Sequence, residues 1–323
     1  MTALATADRV EVLILVDNLT DNLSSAPAYV ENEFSRLWRR GAKRLGGSCL
    51  CCAAHGLACA ITAWRGGVSR TLLFDTGPDA AVFERNVDRL GFDLATVDAI
   101  ALSHGHWDHC GALPRALEMI ALATGGKRLP VYLHPDAHVT RALRGPDGAI
   151  RPFADIPSAD EIDGLGGTVV HARHAQLVLD DLFHLSGEIP RVTPFEQGMP
   201  GQVRLAPDGG WEPDPLVVDE RYVAVRVKDK GTIVFTACSH AGVVNVLNDA
   251  RATLAGPLHG VLGGFHLAGA NEIAIAPTVE AMKPFALASI AAGHCTGWRA
   301  IGALAAAFGE AVAPSSVGKT YRY

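Results

Sequence analysis

Apolar residues in this chain fall in short β-branched or aliphatic runs, separated by polar and glycine-rich turns. Residues 10–16 read as a buried strand, and 57–64 and 71–74 as two strands joined at Arg65-Gly66-Gly67. A helix over 80–90, a strand over 99–102, a helix over 113–123 and a strand over 131–134 follow. The last hundred residues repeat the alternation. Strands at 222–227 and 232–235 form a hairpin; a helix at 243–254, a strand at 260–262, a helix at 277–285, a strand at 286–291 and an Ala-rich helix at 300–308 complete it. Paired strands and strand–helix alternation in both halves predict an α/β (α+β) fold, an αββα four-layer sandwich, as a single domain over 1–323.

Two stretches depart from this rhythm. Between 17 and 47, Phe34, Leu37 and Trp38 recur at helical spacing, which predicts a helix packed on the core rather than a lid. Residues 141–220 are irregular and rich in Gly, Pro and Asp, with strand-like pieces such as 168–171. They read as an insertion of substrate-binding loops and small hairpins.

Composition narrows the class. With 49% hydrophobic and 19% charged residues, the 323-residue chain has ample material for a core. A net charge of -6 without a dense basic cluster argues against an extended nucleic-acid footprint. The local run Arg36, Arg39, Arg40, Lys43 and Arg44 reads as a solvated helix face. No apolar stretch reaches the roughly 18 residues that cross a bilayer, and no signal peptide is apparent. Seven cysteines, an odd number, with Cys49, Cys51 and Cys52 crowded together, predict reduced thiols and a cytoplasmic protein.

The chemistry concentrates in Ser103-His104-Gly105-His106-Trp107-Asp108-His109, directly after an apolar strand. His104 and His106 are two apart and project to one side of an extended segment. Three imidazoles and a carboxylate this close are costly to bury unpaired, and a bound cation explains them. Zinc suits such donors, with Fe or Mn as alternatives. Four donors on one loop exceed what one open tetrahedral site takes, so two cations sharing the loop are the natural inference, and one or two per chain are expected.

This string resembles the His-x-His-x-Asp-His signature of the metallo-β-lactamase superfamily, and Leu73-Phe74-Asp75-Thr76-Gly77 resembles its first motif. The resemblance implies that His104 and His106 bind one metal, Asp108 and His109 a second, and that Asp75 buttresses the loop. A narrower similarity runs through Leu15-Val16-Asp17-Asn18, Ala54-His55-Gly56-Leu57, Ser186-Gly187-Glu188-Ile189-Pro190-Arg191, Cys238-Ser239-His240-Ala241-Gly242, Gly263-Gly264-Phe265-His266-Leu267 and Gly293-His294-Cys295-Thr296-Gly297. Together these strings are similar to the 7,8-dihydropterin-6-methyl-4-(β-D-ribofuranosyl)aminobenzene-5'-phosphate synthase group.

By the same resemblance His294 is the final ligand of the second metal. Thr236-Ala237-Cys238 stands where Thr-Gly-Asp, with a bridging Asp, is often found. Cys238 either bridges as a thiolate or packs, and His240 is the stronger ligand candidate. For His266, ligation and substrate contact are both open. Arg191 and Lys319 are candidate anion contacts; His184 is a weaker candidate for reaching the site, and His55 for orienting the metal loop. The expected activity is hydrolysis or group transfer on a small, phosphorylated metabolite through a metal-bound hydroxide, with Asp108, His240 and His266 as catalytic residues. The narrower similarity implies a pterin or ribosyl-aminobenzene phosphate substrate. The alternatives are a small-molecule phosphodiesterase or lactonase, and a non-catalytic metal-dependent sensor. Oligomeric state is open.

Overall fold

Successive side chains of the strand Arg9–Val16 go to two different cores. Val10, Val12 and Ile14 face an inner cluster, and Leu13 and Leu15 an outer one. A strand apolar on both faces must be covered on both faces, and the computed structural model, which describes residues 3–323, shows how.

One eight-stranded sheet has the order Gly167–His171, Leu129–Leu133, Val97–Ala101, Val68–Phe74, Ala58–Arg65, Arg9–Val16, Thr320–Arg322, Val30–Glu31. A seven-stranded sheet runs Gln176–Val178, Phe183–Leu185, Val223–Val227, Gly231–Phe235, Leu258–Gly264, Ser289–Gly293, and the short strand Thr6–Ala7 also pairs with Val223–Val227. The inner cluster joins them: Val12, Ile61, Leu72 and Phe74 meet Val225, Ile233, Phe235 and Leu262.

Helices cover the outer faces. Ala80–Leu90 and Leu113–Thr124 lie on the first sheet, where Phe83, Val87, Leu117 and Ile120 pack with Leu15 and Leu73. Val243–Thr253, Ile275–Met282 and Trp298–Phe308 lie on the second, where Val246, Leu247, Met282 and Leu304 pack with Val234, Val261 and Ile290. This is the expected αββα layering. No described helix is long and apolar enough to cross a membrane.

The helix expected around Phe34 is Glu33–Arg39. Leu37 is buried and Arg36 Nε donates to the Leu90 carbonyl at 3.0 Å, so the helix packs on the core through Leu37, whereas Trp38, expected on the same face, is exposed. Its basic residues are less free than a solvated face would be, since Arg39 pairs with Glu31 and Arg40 bonds the Arg89 carbonyl.

The stretch 141–220 contains more order than its composition suggested. Arg141–Arg144, Ile150–Pro152, Gln202–Leu205 and Trp211–Pro213 form a separate four-stranded sheet. Two of its pairings are small hairpins, as expected, and only the pairing of Arg141–Arg144 with Gln202–Leu205 spans some sixty positions, beyond what local periodicity can show.

Candidate metal centre

Strand ends from both sheets converge on one edge. Val68–Phe74 leads into Asp75, Val97–Ala101 into His104, Gly231–Phe235 into Cys238 and His240, Leu258–Gly264 into His266, and Ser289–Gly293 into His294. Asp75, Ser239, His266 and His294 all have positive φ, between 46° and 58°. Four non-glycine residues in this costly conformation mark a place where the surrounding structure dictates side-chain direction.

The imidazoles are oriented from behind. Asp75 is fully buried; its Oδ1 accepts from Ser103 N at 2.7 Å, and its Oδ2 from Ser103 Oγ at 2.7 Å and His109 Nδ1 at 2.8 Å. With its hydroxyl proton on Asp75, Ser103 Oγ accepts from His104 Nδ1 at 2.8 Å. His106 Nε2 donates to Gln202 Oε1 at 2.7 Å, and His294 Nδ1 to Asn18 Oδ1 at 3.0 Å. In each ring one nitrogen holds a proton toward a protein partner, so in the neutral ring the other is bare.

The bare nitrogens face inward. His104 Nε2 lies 2.9 Å from His106 Nδ1 and 3.2 Å from His240 Nε2. Asp108 Oδ2 lies 3.6 Å from His109 Nε2 and 3.4 Å from His294 Nε2, and that last nitrogen is buried without a hydrogen-bond partner. Donors around a tetrahedral cation sit roughly 3.4 Å apart. The spacing and the lone pairs both fit bound divalent cations, and little else would stabilise so many converging lone pairs. Two groups result: His104, His106 and His240, and Asp108, His109 and His294. Cys238 lies between them.

Electrostatics agree. Burial pushes His106 down to about 3, and burial with the neighbouring histidines pushes His104 and His240 well below the ordinary imidazole range. These rings are neutral at physiological pH, as ligation requires. Burial opposes ionisation of Asp108, but His109 and His294 outweigh it and hold the carboxylate below its usual range. Burial also opposes protonation of His109, but Asp108 and Asp75 outweigh it and raise the ring to about 9. In the metal-free fold His109 is therefore protonated below that value, and a cation must displace the proton. Apparent zinc affinity is expected to fall by roughly tenfold or more per unit as pH drops across about pH 6–8. A competition titration with a chromophoric chelator measures this, and a flat profile would refute it.

The centre opens into a cavity of about 520 Å³. His106, Asp108, His240, His266 and His294 line it together with the apolar side chains of Trp107, Leu143, Phe153 and Met199, and the Phe153 ring packs edge-on against His106. His266 stands beside His240, ring centroids 4.3 Å apart. His55 is at the mouth, Nε2 3.5 Å from Asp108 Oδ2 and Nδ1 3.1 Å from Asn18 Nδ2.

Three sequence candidates lie outside this lining. Arg191 Nη1 donates to the His240 carbonyl at 2.6 Å and Nη2 to the Leu216 carbonyl, so its charge braces the His240 loop. Lys319 is buried, with Nζ 3.1 Å from Asp21 Oδ2 and 2.9 Å from the Pro314 carbonyl. His184 packs on Tyr222, away from the cavity. Among the described residues, no lysine or arginine lines the cavity.

The structure adds residues that spacing did not point to. Glu220 accepts the backbone amides of His240 at 2.8 Å and Ala241 at 2.6 Å, which fixes the turn. Gln202 and Asn18 orient His106 and His294; Asp17, before Asn18, accepts the His294 amide at 3.0 Å. A signal for the last pair did exist, two polar residues ending a buried strand. Gln202 and Glu220 lie inside the irregular stretch and carried none.

The layering is that of the metallo-β-lactamase fold, and residues 58–192 match the sequence profile of the metallo-beta-lactamase superfamily. The fold is shared with solved structures of that superfamily. It is 29% identical over 250 residues to a Methanocaldococcus jannaschii protein named 7,8-dihydropterin-6-methyl-4-(beta-D-ribofuranosyl)-aminobenzene-5'-phosphate synthase, covering 76% of this chain and 82% of the relative. Among solved structures, Tm1679, a metal-dependent hydrolase of the beta-lactamase superfamily, superposes with a TM-score of 0.69 at 22% identity, covering 96% of this chain and 98% of that one. YhfI from Bacillus subtilis, a metallo-beta-lactamase fold protein, gives a TM-score of 0.50 at 12% identity, covering 98% and 100%.

Proposed function

We propose that this chain is a metal-dependent enzyme that carries out hydrolysis or group transfer on a small phosphorylated metabolite. His104, His106 and His240 hold one divalent cation, and Asp108, His109 and His294 a second. The observation that carries this reading is the inward-facing second nitrogen of His104, His106, His109 and His294, bare in the neutral ring because a partner on the far side takes the proton. Bound divalent cations would acidify a water and polarise the attacked oxygen.

The chain's own residues do the rest. Asp108 would hold its cation and keep a negative charge in the cavity lining. His240 fixes the first site from the opposite sheet. His266 lines the same wall and is the side chain placed to hydrogen-bond the reacting group. Arg191 and Glu220 position His240 and do not touch substrate.

Substrate class follows from the walls. With no lysine or arginine in the lining, a phosphate is met by the metal pair and the histidines. Phe153, Trp107, Leu143 and Met199 offer a face for a planar ring system. That division suits a phosphorylated aminobenzene or pterin compound, the chemistry in the name of the Methanocaldococcus jannaschii relative. We place the protein in the cytoplasm, where its free cysteines stay reduced.

Elemental analysis of tag-free protein beside His109→Ala and His240→Ala, with assays of generic phosphoesters and of pterin–aminobenzene condensation, tests the reading. About two metals per chain are expected, with fewer in both variants and turnover lost with them. Wild-type protein that takes up no divalent metal after reconstitution would refute it. Metal uptake with ligand binding but no turnover on any substrate would make the chain a sensor.

A further inference from the structure

We propose that Cys238 is a shared thiolate ligand. Its Sγ bridges the two cation sites, and the pair consequently favours thiophilic divalent cations such as zinc, cobalt or ferrous iron over magnesium and manganese. This rests on the dinuclear reading above and assigns a role to the residue where the sequence departs from the usual bridging carboxylate.

Geometry singles out this sulfur. Its Sγ lies within 4.8 Å of donor atoms of His104 and His240, and also of those of Asp108, His109 and His294. It stands 3.3 Å from His109 Nε2. Among the described residues no other side chain belongs to both groups. A cysteine that merely packs behaves as a small hydrophobe and meets aliphatic carbon. Cys238 is only 3% exposed, yet it meets imidazole nitrogens and a carboxylate.

The backbone holds it there. Gly231–Phe235 ends at Thr236, whose Oγ1 lies 2.8 Å from Ser239 Oγ, and Ser239 Oγ donates to the Gly264 carbonyl at 2.8 Å. Glu220 then clamps the following amides, so both ends of the Cys238 turn are tied.

The chemistry balances. On cation binding the thiol gives its proton to solvent, and the sulfur lone pairs become the shared donor. A thiolate carries the same single charge as a carboxylate, so total charge at the centre is unchanged. The softness of the donor changes, and softness governs the choice among divalent cations.

Cys295 is the necessary control, because its thiol is close by. Its Sγ donates to the Cys238 carbonyl at 3.3 Å and groups with Cys238 and His266, but it joins neither cation group.

Metal-free protein loaded with cobalt(II) gives two readouts independent of turnover, cobalt stoichiometry and the near-ultraviolet thiolate-to-cobalt charge-transfer band. Wild-type protein should bind about two cobalt ions and show the band. Cys238→Ser should lose the band and bind less cobalt, and Cys295→Ser should keep the band. Cys238→Asp should bind as much cobalt as wild type without the band and shift preference toward manganese, which covers the case that the serine variant fails to fold. Full cobalt loading without a band, or a band that survives in Cys238→Ser, would overturn the bridge while leaving the dinuclear enzyme intact. Failure of the wild type to bind cobalt or any other divalent metal would instead refute the dinuclear reading, and the bridge with it.

Discussion

Replacing Arg141 by methionine is expected to destabilise the protein by about 3–5 kcal/mol, the range seen when one partner of a buried ion pair is removed. Arg141 is 3% exposed; its Nε donates to Asp214 Oδ2 at 2.9 Å and its Nη2 to Asp219 Oδ1 at 2.6 Å. Methionine fills similar space but leaves two buried carboxylates without a counter-charge. The loss also reaches the metal loop. Asp219 Oδ2 accepts the Gly105 amide at 2.8 Å, and Asp214 Oδ2 lies 3.3 Å from Gln202 Nε2, whose carboxamide oxygen orients His106. The variant should therefore melt at least ~6 °C lower and hold the first cation more weakly. Thermal unfolding with and without zinc measures both. A melting point within about 2 °C of wild type would show that water or rearrangement compensates the two aspartates, and the role assigned to Arg141 would fail.

Asp75→Asn is expected to weaken cation binding by roughly 10–100-fold, the usual consequence of losing a carboxylate that orients a metal-binding histidine. Both oxygens of Asp75 are used as acceptors, for three donors in all. An asparagine has one acceptor and must turn an NH2 group toward either the Ser103 amide or the His109 and Ser103 side chains. One orientation opposes two donors. The other drives His109 to the tautomer with its proton on Nε2, the nitrogen that should ligate. Zinc titration of the two proteins side by side decides the matter. Equal affinities would mean that the buttress does not set the tautomer.

Much of this was legible along the chain. The strand–helix alternation located most elements to within a few residues, because each apolar run had the period of its own structure: Leu258–Gly264 and Ser289–Gly293 as short buried strands, Ala80–Leu90 as a helix with Asp79 accepting the amides of Ala81 and Val82. The final strand Thr320–Arg322 escaped notice. It has three residues, and its partners Arg9–Val16 and Val30–Glu31 lie some three hundred positions away.

The site divides in the same way. His104, His106, Asp108 and His109 were visible as a group because one loop carries all four, and a turn of backbone is enough to aim them at a common centre. His240 and His294 were joined to that centre only by the family resemblance, since they arrive on strands of the opposite sheet. Arg191 and Lys319 read as free cations, and the fold directs both to oxygens inside the protein instead. Gln202, Asp219 and Glu220 act on the metal loop and the His240 turn from an irregular stretch, by hydrogen bonds across 96, 114 and 20 positions. Local sequence thus decided which residue types gather and which elements carry them, because period and spacing are short-range properties. The packing of two sheets decided which nitrogens face one another, which charges are neutralised and which sulfur stands between the groups, because those depend on distances that exist only once the chain has closed on itself.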